Sequence, residues 1–214
     1  MIGRRAPGPG TEHDLRVCRY AERLARLAGL DRRSCLELAQ ASRLHDIGKV
    51  TVPADVLDKP GPLDALERAL VEAHAEFGHH LLFSPHDRFM MLAARIAWTH
   101  HERWDGTGYP RRLRGEQIPL EGRIVAICDV FDALTSDRVY RAALPREEAV
   151  AHIRAGGASA FDPRLVDLFL ASAGAFVGGA GDDCEQSGGD EHAGGGDHAG
   201  GEVLIFPAAR RASA

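Results

Sequence analysis

The feature that most constrains this chain is a set of histidines and aspartates distributed over separate helical patterns. Its members are His13, the pair His45-Asp46, His74, the pair His100-His101 and Asp129. Some of them continue an apolar stripe, as His100 does after Leu92 and Ile96, so a folded helix would turn the ring toward the interior. Imidazoles and carboxylates that meet inside a helical bundle are typical of a metal centre. We therefore predict that several helices assemble one such centre.

Apolar residues recur at helical spacing through most of the chain, which predicts an all-α fold. Thr11 to Asp14 form a capping box for a first helix that Gly29 ends, and Asp31 caps a second helix that runs to about Asp46. A third long helix is predicted to place on one face Leu66, Leu70, His74 and Phe77. Further helices are predicted over residues 87–101, 123–134, 146–154 and 163–173, with a Gly- and Pro-rich loop over 102–122.

Composition changes sharply near the end of the chain. Residues 178–201 consist largely of Gly, Asp, Glu and His, which cannot bury enough apolar surface to order themselves, and only the following Val203–Phe206 has strand character. We therefore predict a flexible lead at 1–10, one catalytic domain at 11–175 and a disordered low-complexity tail at 176–214.

Charge and hydropathy exclude several classes of protein. The formal net charge of −5 at pH 7 argues against general nucleic-acid binding, which needs a basic face. The longest apolar stretch, Leu165–Val177, is interrupted by Asp167 and Gly174 and is too short to span a bilayer. The four cysteines are widely spread in a chain without a signal-like start, which indicates reduced thiols. These features predict a cytoplasmic protein without a membrane segment.

The side chains of the predicted centre favour particular ions. Neutral imidazoles with a few carboxylates suit iron, manganese, zinc or nickel better than Mg²⁺ or Ca²⁺, which prefer oxygen ligands. Two ions about 3.5–4 Å apart, bridged by Asp46 and a hydroxide, would use the whole set and suit a displacement at phosphorus. Lys49 follows closely, where its ammonium could hold phosphate oxygens and neutralise charge in the transition state.

The run His45-Asp46-Ile47-Gly48-Lys49, together with the run from His100 to Pro110, resembles the HD-GYP branch of the HD phosphohydrolase superfamily. The likeness covers nearly all of residues 11–175 through further matches at Pro53, 59–63, 123–124, 129–135, 138–141 and 161–163. The resemblance implies an HD-type helical bundle. It also implies a metal-dependent phosphodiesterase that opens cyclic di-GMP, a bacterial second messenger, to linear pGpG and in some members onward to GMP.

The same resemblance implies roles for individual residues. It places one ion among His13, His45, Asp46 and Asp129, and a second among His74, His100 and His101 with Asp46 shared. Iron or manganese is the favoured metal, with zinc and nickel as alternatives. Asp46 and Lys49 are assigned to catalysis. Substrate contacts are assigned to Lys49, Gly108, Tyr109, Pro110, Arg138 and Arg141. The Gly108–Pro110 loop is also linked to diguanylate cyclase domains, and an upstream regulator is a further expected partner.

One departure from the family pattern bears on the number of ions. Members with three metals carry a Glu one helical turn before the first ligand histidine, and here that position is Pro9. We therefore expect two ions and a product that is largely pGpG.

Three functions stay open on the sequence alone. They are a cyclic di-GMP phosphodiesterase, a non-catalytic cyclic di-GMP receptor or adaptor, and a phosphoesterase that acts on another cyclic dinucleotide or nucleotide. The intact ligand set favours an enzyme, because an adaptor has no need of it. The role of Glu102 also stays open, since its side chain could orient the metal ligands or cap the loop. The remaining histidines, among them His79 and His152, are predicted to lie at surface or boundary positions.

Overall fold

The computed structural model describes residues 11–137 and 142–172. Across these residues the chain forms α-helices joined by turns and short 3₁₀ segments, and no strand occurs in them, so the prediction of an all-α fold is confirmed. The predicted lead at 1–10, the tail at 176–214 and the strand-like Val203–Phe206 lie outside the described residues. The domain boundaries therefore stay predictions.

Nine α-helices are present in the described residues. They are α1 (Glu12–Leu27), α2 (Arg32–Ser42), α3 (Ala54–Leu57), α4 (Ala65–Glu72), α5 (His74–Leu82), α6 (Arg88–Thr99), α7 (Leu120–Thr135), α8 (Arg146–Ala155) and α9 (Pro163–Ala171). Two 3₁₀ helices, Ile47–Thr51 and Gly115–Gln117, lie in the connections. The helices α6, α8 and α9 match their predicted ranges closely, whereas α7 begins at Leu120 and not at Arg123.

The first helix begins and ends as its sequence predicts. The Thr11 side chain accepts the N–H of Asp14, and the Asp14 carboxylate accepts the N–H of Thr11. This reciprocal pair satisfies backbone donors that have no partner within the helix. At the other end Gly29 adopts a φ of 87°, which glycine tolerates and which lets the chain leave the helix.

The second helix is shorter than predicted. Asp31 caps it as expected, but it ends at Ser42 and not near Asp46. A turn follows, in which His45 N–H donates to Ser42 O at 3.1 Å, and the 3₁₀ helix Ile47–Thr51 comes after it. The pair His45-Asp46 therefore lies in a turn, where the two side chains can leave the backbone in different directions.

The predicted third long helix is wrong in two respects. It is divided at Ala73 into α4 and α5, and its supposed buried face is exposed, with Leu66 at 73%, Leu70 at 42% and Phe77 at 48%. His74 is nevertheless completely buried. Helical periodicity identifies residues that share a face, but it cannot say which face packs when apolar residues occur on both.

Packing of α5 against the 3₁₀ helix selects the buried face. A Cβ atom on Gly48 would lie 2.0 Å from His74 O and 2.5 Å from Gly78 N, so the two backbones approach too closely for any side chain at Gly48. This contact presses the start of α5 toward Asp46. It therefore helps to hold His74 in the interior of the domain.

The main core lies between α1, α2, α6 and α7, and α8 and α9 close one end of it. Its largest fully buried side chains include Leu24, Ile96, Ile127, Phe131 and Phe169. Burial of each such side chain contributes roughly 1.5–3 kcal/mol to folding. Cys35 and Cys128 lie in this core as free thiols, and none of the described helices is long and apolar enough to cross a membrane.

We predict that Gly48→Ala destabilises the domain by about 3 kcal/mol or more, because the added methyl group must separate the 3₁₀ helix from α5. Gly29→Ala is the matched control. Nothing lies within 4 Å of a Cβ at Gly29, so only its positive φ opposes alanine, at a cost of roughly 1–2 kcal/mol. Chemical denaturation of both variants measures the difference, and equal losses would contradict the importance of this contact.

Candidate metal centre

Two groups of side chains meet at the point where α1, α5, α6, α7 and the turn after α2 converge. The ligand atoms of Asp46, His74, His100 and His101 all lie within 4.8 Å of one another, and so do those of His13, His45 and Asp46. Asp46 belongs to both groups. Asp129 adjoins the second group, with its Oδ1 atom 3.4 Å from His13 Nε2 and 3.9 Å from His45 Nε2. The structure thus brings together every residue of the predicted ligand set.

Most of these side chains come from helix ends. His13 is the second residue of α1, His74 is the first of α5, and His100 caps the C-terminus of α6 with His101 directly after it. Only Asp129 comes from the middle of a helix, α7. The ends of several helices can meet at one place, so each helix can contribute a ligand to the same site although the helices do not cross there.

Backbone carbonyl groups orient three of the imidazoles. The Nδ1–H group of His45 donates to Ser42 O at 2.8 Å, that of His74 to Val71 O at 2.5 Å, and that of His100 to Ala97 O at 3.0 Å. A carbonyl oxygen only accepts, so Nδ1 carries the proton in each ring. Each Nε2 atom is then left with a lone pair, which is the form that binds a metal.

Burial keeps imidazoles of the first group neutral. Loss of contact with water lowers the pKa of His100 to about 4, although Asp46 opposes the change, and burial also lowers the pKa of His101 well below its usual value. Both rings are therefore uncharged at neutral pH. Burial alone would raise the pKa of Asp46, but the charge of Lys49 is the first of the causes that hold that pKa well below the usual range. Asp46 is consequently an anion beside the neutral rings of His100 and His101.

The second group has a more negative environment. Burial opposes the protonation of His13, but the hydrogen bond to Asp132 and the charges of Asp129 and Asp132 outweigh it and raise the pKa of His13. The same negative field that favours a proton favours any other cation at this position.

Unsatisfied polar atoms indicate how well a cation fits the centre. Within the described residues, His45 Nε2, His101 Nε2 and Asp46 Oδ1 are buried and have no hydrogen-bond partner. Such atoms are rare in folded proteins because an unpaired buried polar atom costs free energy. Imidazole nitrogens with a few carboxylate oxygens match divalent transition ions, so the residues present fit the metal that the sequence predicts.

Lys49 lies beside the shared carboxylate. It belongs to the 3₁₀ helix, its side chain is 2% exposed, and its ammonium group donates a hydrogen bond to Asp46. A fixed positive charge is thus held at the edge of the centre.

The loop that carries Gly108, Tyr109 and Pro110 packs against the first group. Gly108 is buried. A Cβ atom on it would lie 2.4 Å from Arg103 N and 2.6 Å from His101 O, so the absence of a side chain allows the loop to contact the backbone that follows α6. The ring of Tyr109 then stacks on His101 at a centroid distance of 4.8 Å. Pro110 follows it at a half-buried position. Gly108 therefore determines how closely the loop packs, and Tyr109 is the residue of the three whose ring contacts a proposed metal ligand.

Glu102 caps this loop. Its carboxylate accepts the backbone N–H of Arg111 at 2.7 Å and that of Leu113 at 3.0 Å. Of the two roles that the sequence left open, the structure supports the loop cap.

Two residues near the centre were missed by the sequence reasoning, and one was misplaced. Asp132 and Arg16 form a hydrogen-bonded network behind His13, and the spacing of Asp132 one helical turn after Asp129 was a signal that could have identified it. His79 was expected at a surface or boundary position, but it is buried and stacks on Trp98 at a centroid distance of 4.0 Å. Arg138 and Arg141 lie outside the described residues.

A bundle of helices that gathers imidazoles and aspartates around a cation site defines a recognisable class of domain. The sequence profile of the HD domain family matches residues 4–165, and this chain belongs to that family. The resemblance to HD-GYP proteins is therefore confirmed.

Similar proteins include enzymes of cyclic dinucleotide turnover. The chain is 46% identical over 165 residues to a 3′3′-cGAMP-specific phosphodiesterase 2 from Vibrio cholerae, with 77% of this chain and 32% of the relative covered. It is 44% identical over 155 residues to the cyclic di-GMP phosphodiesterase response regulator RpfG from Xanthomonas campestris, with 72% and 41% covered. The chain thus spans less than half the length of these curated relatives.

Solved structures support the fold. A structure of Bd1817, an HDG"Y"P protein from Bdellovibrio bacteriovorus, superposes with a TM-score of 0.58 at 20% identity, and the match covers 74% of this chain and 50% of that one. At this identity the similarity concerns the helical architecture alone.

We predict that chelation of divalent ions lowers the stability of the domain and that Mn²⁺ restores it. At a free ion concentration one hundredfold above the dissociation constant, one site contributes about 2.7 kcal/mol. Thermal unfolding with EDTA and then with Mn²⁺ measures the change. His100→Ala should reduce the response, because it removes a ligand of one of the two sites, whereas His152→Ala, an exposed position on α8, should retain it in full. A wild-type protein that unfolds identically with and without Mn²⁺ would refute the metal centre.

Proposed function

We propose that this chain is a metal-dependent phosphodiesterase that hydrolyses cyclic di-GMP to linear pGpG at a centre of two divalent ions. The observation that supports this most directly is the position of Asp46, which belongs to both ligand groups. A carboxylate shared in this way is typical of two-ion centres that cleave phosphate esters.

The two ligand groups define the proposed ion sites. One ion would be held by His13, His45, Asp46 and Asp129. The other would be held by His74, His100 and His101, with Asp46 shared. Iron or manganese is the proposed metal, with zinc and nickel as alternatives. Such ions supply positive charge that polarises the phosphate and activates the attacking water.

The residues of this chain contribute the remaining parts of the reaction. Asp46 remains ionised and would contribute a ligand to both ion sites. Lys49 is already desolvated, so in the bound state its ammonium stabilises charge that grows on the phosphate oxygens. Attack of water at phosphorus breaks one P–O bond of the ring, and the departing ribose oxygen takes up a proton. The product is the linear dinucleotide.

The remaining predicted contacts concern the substrate outside the reacting phosphate. Tyr109 lies against His101, where its ring offers an apolar surface beside the metal ligands. Arg138 and Arg141 are proposed anion contacts on the sequence alone. A cytoplasmic location follows from the proposed substrate, and a diguanylate cyclase domain or an upstream regulator is a proposed partner.

A second substrate deserves a direct comparison, because one relative at 46% identity is named as specific for 3′3′-cGAMP. The two cyclic dinucleotides carry the same phosphate ring and differ in one base. The ion centre contacts phosphate and cannot distinguish them, so contacts to the base must decide the preference. A reaction that contains equal amounts of both dinucleotides would show which of them the protein hydrolyses faster.

We expect Mn²⁺- or Fe²⁺-loaded protein to convert cyclic di-GMP into pGpG, which chromatography separates from GMP. Asp46→Ala should abolish turnover and release metal, because two cations without the shared carboxylate repel each other. His152→Ala provides the matched control and should retain both properties. Tight binding of the dinucleotide without hydrolysis by the wild type would favour the receptor or adaptor, and activity in Asp46→Ala would exclude the proposed mechanism.

Lys49→Met tests the second catalytic residue, since methionine keeps an unbranched side chain only one atom shorter and removes the charge. We expect kcat to fall by about 10²–10³-fold, the usual loss when one preorganised charge or donor is removed from a transition state. The metal content should stay close to that of the wild type. Elemental analysis and steady-state kinetics measure the two effects, and an unchanged kcat would remove Lys49 from catalysis.

A further inference from the structure

Asp132 is a buried carboxylate outside the predicted ligand set. Its side chain is 1% exposed, and it lies on α7 one helical turn after Asp129. Its Oδ2 atom accepts the Nδ1–H group of His13 at 2.7 Å. Its two oxygens also accept from Arg16, at 2.5 Å from Nε and 3.2 Å from Nη2. Asp132 is therefore linked to the metal centre by its hydrogen bond to His13.

The ring of His13 lies between two aspartates of the same helix. Asp129 Oδ1 is 3.4 Å from its Nε2 atom, and Asp132 Oδ2 is 2.7 Å from its Nδ1 atom. An ionised carboxylate only accepts hydrogen bonds, so the bond to Asp132 keeps a proton on Nδ1. In the neutral ring the Nε2 lone pair is then directed to the side of Asp129, which is the side of the proposed ion.

The position of His13 in α1 explains why it needs a distant partner. His45, His74 and His100 each use the carbonyl group three residues earlier in the chain. His13 is the second residue of its helix, so no earlier helical turn can place a carbonyl group at its Nδ1 atom. α7 supplies a carboxylate in its place.

Arg16 compensates the negative charge of Asp132 inside the protein. An unpaired charge at the position of Asp132 would carry a large desolvation penalty. Arg16 lies one turn after His13 on α1 and meets the carboxylate with two nitrogen atoms. Ser136, the residue directly after α7, adds a contact, with its hydroxyl 3.4 Å from Asp132 Oδ2. The carboxylate is thereby held from both helices.

We propose that Asp132 is a positioning residue that fixes the tautomer and the orientation of His13, so that the ion site of His13, His45, Asp46 and Asp129 can form. The inference rests on the two-ion centre of the proposed function. Carboxylates behind metal-binding histidines typically change metal affinity about 10–100-fold. The anchors of His74 and His100 are carbonyl groups of the chain just before them. The effect of Asp132 is therefore confined to the ion near His13.

The test compares Asp132→Ala with Asp132→Asn, each stripped of metal and titrated with Mn²⁺. Elemental analysis gives the ions bound per chain, and low-temperature electron paramagnetic resonance distinguishes a coupled pair of Mn²⁺ ions from an isolated ion. Asp132→Ala should keep one ion, bind the second about 10–100-fold more weakly, and replace the coupled signal by an isolated one. Asp132→Asn, whose amide oxygen still accepts the Nδ1–H group, should recover part of the affinity. Asp167→Ala, at an exposed position of α9, is the matched control and should bind as the wild type does.

An Asp132→Ala variant that binds as many ions as the wild type with equal affinity overturns the inference. A purely structural role predicts a different pattern, in which both ions weaken together and Asp132→Asn gives no recovery, and that result also overturns it. The proposed function can fail separately. If the wild type binds two ions but hydrolyses neither dinucleotide, the phosphodiesterase proposal is wrong, while loss of one ion in Asp132→Ala still supports the positioning role.

Discussion

The centre of this domain depends on hydrogen bonds that hold the Nδ1 atoms of four of its histidines. A histidine binds a metal only when one nitrogen is free of a proton and points at the ion. Carbonyl groups near the ends of α2, α4 and α6 impose this state on His45, His74 and His100. The rings are buried, so these bonds are protected from water. The site is thus preorganised by secondary structure.

Close backbone packing brings these ends together. Gly48 lets the 3₁₀ helix contact α5, and Gly108 lets the loop after α6 lie against the chain near His101. Both glycines fall within the motifs that carry the family resemblance. Their role in the structure is to remove side chains from the shortest contacts, so that residues with chemical functions can lie within a few ångströms of each other.

Much of the fold and the centre was accessible from the sequence. The capping box at Thr11 and the cap at Asp31 determined where α1 and α2 begin, because these are local hydrogen bonds. The stripe of Leu92, Ile96 and His100 gave the orientation of α6 correctly. The corresponding argument failed for Leu66, Leu70 and Phe77, which are exposed. The apolar residues of this segment do not by themselves indicate which face of the helix packs against the core. The residue types also gave no sign that the helix is interrupted at Ala73.

The sequence by itself determined which residues are available for chemistry, since imidazoles, carboxylates and one lysine occur in motifs of fixed spacing. It also determined the helical class of the fold, since periodicity and caps depend on neighbouring residues alone. Only the tertiary structure decided that Asp46 lies between two ligand groups and that Asp132 reaches His13 across more than a hundred residues of chain. The physical reason is that such contacts depend on how α1 packs on α7 and the 3₁₀ helix on α5, and the local pattern does not encode that packing.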